Sequence, residues 1–75
     1  MIPYIDINLE ALNLSDNDVS YLCNIFLQKM INLDELKLNL EDNEIGDDNV
    51  NKIGEVINNL SSLLKLKLNL GNNLM

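Results

Sequence analysis

The sequence predicts an α/β repeat in which short parallel strands alternate with helical returns. Three observations carry this. Segments of the chain recur at displacements of 30 and 26 residues. The strings "LKLNL" at 36–40 and "LKLNL" at 66–70 alternate apolar and polar residues, the period of a strand with one buried face. Between them Val50, Ile53, Ile57 and Leu60 are spaced 3, 4 and 3 apart, which is one stripe of a helix.

The repeat is read by displacement. At an offset of 30, Leu33 falls on Leu63, Leu36 on Leu66, Leu38 on Leu68, Leu40 on Leu70 and Asn43 on Asn73. Lys37 falls on Lys67 and Asn39 on Asn69. At an offset of 26, Leu12 falls on Leu38, Leu14 on Leu40, Asn17 on Asn43 and Val19 on Ile45. The unit thus occurs about two and a half times with a length near 28. One segment, 1–75, is expected, with units at about 5–32 and 33–62 and a truncated one at 63–75.

Each element follows in order. The first strand is expected among the leucines at 9–14. Glu10 stands where Leu36 and Leu66 stand, so that strand should be shorter or shifted. The first helix is carried by Val19, Leu22, Cys23, Phe26, Leu27 and Met30, a wider apolar face. Asp16 to Asp18 and Asp47 to Asn49 precede the two helices, where they can cap free N–H groups and favour the helix dipole. The first unit is four residues shorter than the second, so its helix or entry loop is trimmed. The third unit reaches Met75 with no helix. Strand, turn, helix and strand again implies parallel pairing.

Composition narrows the function classes. A chain of 75 residues makes one small domain that buries a little over about 60% of its unfolded surface. Cys23 is the sole cysteine and there is no histidine, so disulfides and Cys/His metal sites are excluded. Stability must come from regular packing, from association or from attachment to a longer chain. A net charge of −7 and the absence of arginine argue against nucleic acid and anionic membrane surfaces. They also exclude bidentate guanidinium recognition. The start "MIPYIDINLE" lacks a basic n-region, and no stretch approaches the ~18 apolar residues of a membrane span. One free cysteine and no targeting segment fit a cytoplasmic chain.

The string "LEALNLSDNDV" at 9–19 resembles the leucine-rich repeat signature, Leu-x-x-Leu-x-Leu-x-x-Asn-x-Leu. "LDELKLNLEDNEIGDDNV" resembles the ribonuclease-inhibitor-like branch, whose units of about 28 residues carry a full outer helix. The resemblance covers the chain from about Leu9 onward. It implies a curved solenoid, with strands lining a concave parallel sheet and helices on the convex face. It further implies that Asn17, Asn43 and Asn73 are structural, buried in the turn after each strand and bonded to neighbouring backbone. An amide offers both donor and acceptor to a turn that needs both.

Catalysis has little to work with. Ser15, Ser20, Ser61 and Ser62 have no evident base partner, and Cys23 lies on an apolar stripe, as a buried structural thiol would. The acidic run "EDNEIGDDN" at 41–49 matches a calcium loop poorly. Counted from Glu44 to Glu55, it places Asn49 at the glycine position and Asn51 at the central apolar one. Capping and a solvated turn explain the run, with at most an adventitious cation site between neighbouring turns. No cofactor or metal is expected.

The polar residues between strand leucines are the candidate partner-binding set: Asn13 (with Ala11) in the first unit, Glu35, Lys37 and Asn39 in the second, Lys65, Lys67 and Asn69 in the third. The set holds three of the five lysines, so an acidic protein would carry a locally basic strip. Strands ~4.8 Å apart place Lys37 beside Lys67 and Glu35 beside Lys65, with Asn13, Asn39 and Asn69 in a row. Such a face suits an acidic or polar segment of another protein. A solvated face, with lysines guarding a sheet edge, is the plainer reading.

Leu66, Leu68 and Leu70 have no following unit in this sequence, and a repeat unit cannot bury its apolar face alone. Either the chain is a piece of a longer repeat protein, or its open end docks on a partner or on a copy of itself. The expected function is non-enzymatic protein–protein interaction or scaffolding. One alternative is a purely structural segment packed end-on in a larger assembly. Another, implied by the resemblance, is a regulator of a partner enzyme, as an inhibitor of nucleases or an activator of small GTPases.

Overall fold

The computed structural model describes residues 4–26 and 32–74. Its elements run β1 (Tyr4–Asn8), α1 (Asp16–Tyr21), β2 (Glu35–Asn39), α2 (Asp47–Asn58) and β3 (Lys65–Asn69), and α1 continues into a wider π-helical turn over Leu22–Phe26. The strands form one parallel sheet in the order β1-β2-β3. This is the α/β class and the strand-and-return order the alternating patterns predict.

The register between β2 and β3 is the 30-residue match. Leu36 pairs with Leu66, Lys37 with Lys67, Leu38 with Leu68 and Asn39 with Asn69. Between β1 and β2 the 26-residue match is wrong. Ile5 pairs with Leu36, Asp6 with Lys37, Ile7 with Leu38 and Asn8 with Asn39, an offset of 31. The segment "YIDIN" alternates as cleanly as "ELKLN", and its isoleucines suit a pleated, half-buried surface. The leucines at 12 and 14 lie in the turn that follows. There the backbone reverses with φ of +56° at both Ala11 and Asn13, a conformation no strand contains.

The core sits between the leucine face of the sheet and the helices. Leu36, Leu38 and Leu40 are buried with Val19 and Cys23 from the first helical segment and Ile53 and Val56 from α2. Val56 lies outside the stripe read from the sequence, while Val50 and Ile57 within it are half-buried. Leu27 and Met30 lie outside the described residues, as does the side chain of Phe26. The central strand is the best covered. Ile5 and Ile7 on one side and Leu68 on the other are half-buried, and Leu66 is exposed.

The caps differ from those expected. Asp16 and Asp47 open the first turns, and the N-caps are Ser15 and Gly46. The Asp18 carboxylate accepts from the Ser15 N–H at 2.9 Å and from its hydroxyl at 3.1 Å. Asp16 reaches across to the next unit, where its Oδ1 accepts the Gly46 N–H at 2.9 Å. Ser20 donates to Asn49 Oδ1 at 3.1 Å, so the two helices are also linked by a polar contact.

Among the described residues no helix is long and apolar enough to cross a membrane.

Candidate functional site

Two sets of asparagines organise the ends of the strands. Asn43 is buried and bridges units one and two. Its Oδ1 accepts the N–H groups of Leu12 (3.2 Å) and Leu14 (2.8 Å), and its Nδ2 donates to the carbonyls of Leu9, Leu40 and Glu41. Asn73 repeats this one unit on: Oδ1 accepts from Ile45 N–H, and Nδ2 donates to Leu40, Leu70 and Gly71 carbonyls. Both amides therefore bond backbone of the preceding unit, Asn43 from a buried position and Asn73 from a half-buried one.

Asn17 does not. It lies in the first turn of α1 and is exposed. In the true register the position of Asn43 and Asn73 is taken in the first unit by Leu12, which is 54% exposed. Each turn asparagine reaches back to the preceding unit, and Leu12 can make no such bridge. Its predecessor in each turn takes a left-handed conformation: Ala11 at +56°, Asp42 at +58° and Asn72 at +54°.

The second set lies on the polar face of the sheet. Asn8, Asn39 and Asn69 share one row across the strands, with Asn8 where Asn13 was expected. Each Oδ1 accepts the backbone N–H two residues on, at 3.0–3.1 Å. Asn39 Nδ2 donates to Glu10 at 3.2 Å and Asn69 Nδ2 to Glu41 at 3.4 Å. The Asn39 and Asn69 amides are thus bonded through both oxygen and nitrogen within the fold, which leaves them little to offer a partner.

The next row is charged. Asp6, Lys37 and Lys67 stand side by side, and Lys37 Nζ lies 3.9 Å from Asp6 Oδ2. Beyond it run Tyr4, Glu35 and Lys65, with Glu35 and Lys65 paired in register. The Tyr4 hydroxyl donates to Asp6 at 3.3 Å. Tyr4 and Asp6 are not among the residues expected from the repeat, though the alternation of "YIDIN" marks both as outward-facing. The sheet face is therefore graded rather than uniformly basic. Acid gathers at β1 and lysine at β3.

A shallow groove of about 470 Å³ lies over the basic side, lined by Lys37, Asn39, Lys67 and Asn69 with Leu38, Leu66 and Leu68. Its size is that of a small ligand pocket, but it is open along the sheet and suits an extended chain. Of the partner-binding residues expected, Glu35, Lys37, Asn39, Lys65, Lys67 and Asn69 come together on this face, and Asn13 does not.

At the turns Glu10, Glu41 and Asp42 bring carboxylate oxygens within 4.8 Å of one another. Glu10 and Glu41 are the acceptors of the Asn39 and Asn69 amides, so their carboxylates serve the turns. Cys23 is fully buried, and burial pushes its thiol up, with Lys52 partly offsetting this. A protonated buried sulfur is a poor nucleophile. No family model matches this chain, and no curated protein or solved structure matches it either.

Proposed function

We propose that the chain is a protein-interaction segment built as a leucine-rich repeat, and that it binds an acidic, extended segment of another protein across the lysine side of its sheet. In this reading the strands line the concave side of a short solenoid and the helices form its convex side. The segment scaffolds a partner and catalyses nothing.

The observation that carries the proposal is the register of Lys37 beside Lys67. Two like charges on adjacent strands cost a few tenths of a kcal/mol. Asp6 compensates Lys37, while Lys67 has no ion-pair partner among the described residues. Lysines held so, beside a groove open along the sheet, can be offset by a carboxylate from outside. Their position within a protein of net charge −7 also gives a local sign opposite to the whole.

The test is fluorescence anisotropy of a labelled, Glu/Asp-rich extended peptide titrated with the 75-residue chain. Binding should weaken about tenfold or more when both Lys37→Glu and Lys67→Glu are made, and should fall with added salt. Far-UV circular dichroism should stay that of the parent. Undiminished binding by the folded double variant would sink the proposal.

End-on packing has its own observation. Leu66 and Leu74, at 43% and 70% exposed, stand on the open side of β3. A packing segment would ignore the lysine changes and respond to Leu68→Asp.

A further inference from the structure

We propose that the 75-residue chain associates head to tail with a second copy, β3 of one molecule pairing in parallel with β1 of the next. The inference is independent of the peptide-binding reading and rests on how the two outer strands match. Within the chain the Leu9 N–H donates to the Asn39 carbonyl and the Ala11 N–H to Glu41. One unit on, Leu40 donates to Asn69 and Asp42 to Gly71. The next donors in this series are Leu70 and Asn72, which point to the open side of β3. The acceptors that precede the series are the carbonyls of Asn8 and Glu10, on the open side of β1. A second copy placed by the same displacement brings these two sets together.

Side chains agree with that placement. Leu66, Leu68 and Leu70 would meet Ile5, Ile7 and Leu9 of the next copy, as Leu36, Leu38 and Leu40 do within the chain. Lys67 would stand beside the second copy's Asp6, repeating the contact Lys37 already makes at 3.9 Å. The exposed Leu12 of one copy would come to the turn that carries the exposed Leu74 of the other. A symmetric antiparallel pairing of two β3 strands about their centre would instead set Lys67 against Lys67. The edge lysines thus disfavour that pairing and favour the acidic β1 edge. Such contacts are heterologous, so they leave an open edge at each end and can extend beyond a dimer.

The experiment is sedimentation velocity of the 75-residue chain, from about micromolar to about millimolar concentration. It is run at about 0.15 M salt, where repulsion between acidic copies is screened beyond about 8 Å. The parent's sedimentation coefficient should rise with concentration. Lys67→Glu alone and Asp6→Lys alone should each weaken association about three- to tenfold. An equimolar mixture of the two restores opposite charges at every junction and should recover to within about twofold of the parent. A parent that stays monomeric throughout overturns the proposal. So does association that either variant leaves intact, or a mixture that fails to recover. Should circular dichroism show a reversal variant unfolded, Lys67→Asn and Asp6→Asn replace it. They should weaken association about two- to fivefold, and parent-like association would overturn the proposal equally.

Discussion

At the scale of single residues, Asn43 is the position on which most backbone depends. Five hydrogen bonds run from one buried amide to two units. Asn43→Ala leaves these N–H and carbonyl groups without it and should cost about 2–4 kcal/mol, against about 1–2 for the half-buried Asn73→Ala, read from urea unfolding. Ala11 offers the opposite test. It holds a left-handed conformation where the later turns use Asp42 and Asn72, both more tolerant of it. Ala11→Gly should therefore raise stability by about 0.5–1 kcal/mol on the same measurement, the relief outweighing the freedom glycine adds to the unfolded chain.

At the scale of elements, β2 and β3 were legible because leucine, lysine and asparagine recur there in phase, and α2 because its apolar residues keep helical spacing. The first strand was not, for a physical reason. Isoleucine and leucine are equivalent on a buried sheet face, so the pairing of Ile5 with Leu36 is invisible to a search for identical letters. The leucines of "LEALNL" then offered a false match in a segment whose backbone reverses. A usable signal existed in "NLE", which stands at 8–10 and again at 39–41, in the true register. The correction moves Asn13 off the sheet face and brings Tyr4, Asp6 and Asn8 onto it. The lysine pair and its neighbours needed only the second and third units, so their placement side by side did not depend on the first strand. Helix α2 carries a test of its own. Gly54 is exposed in its interior, and an added Cβ would meet nothing within 4 Å. Gly54→Ala should raise stability by about 0.5–1 kcal/mol, visible as a higher urea midpoint with an unchanged slope.

For the whole molecule, Cys23 reports on opening. The sulfur has no exposed surface, and it packs with residues of both helical segments and the central strand. An aromatic disulfide reagent should modify it far more slowly in the folded chain than in urea, with a folded-state rate that tracks unfolding. The pH dependence has a definite sign. Burial raises the folded thiol's pKa above its unfolded value of about 8.5. The stabilisation from keeping it neutral is complete below that value and is lost as pH rises through the folded pKa. Modification should accordingly accelerate on the alkaline side by more than thiolate formation in the unfolded chain alone would give.

The backward reach of the turn asparagines also gives the fold an order in time. A chain emerges from the ribosome N-terminus first. Asn43 follows Leu14 by 29 residues and Leu9 by 34, so it arrives after the groups it binds. Asn73 likewise follows Leu40 by 33. Each growing turn can close on a neighbour already made, and no amide has to wait, dry and unpaired, for acceptors still to be synthesised.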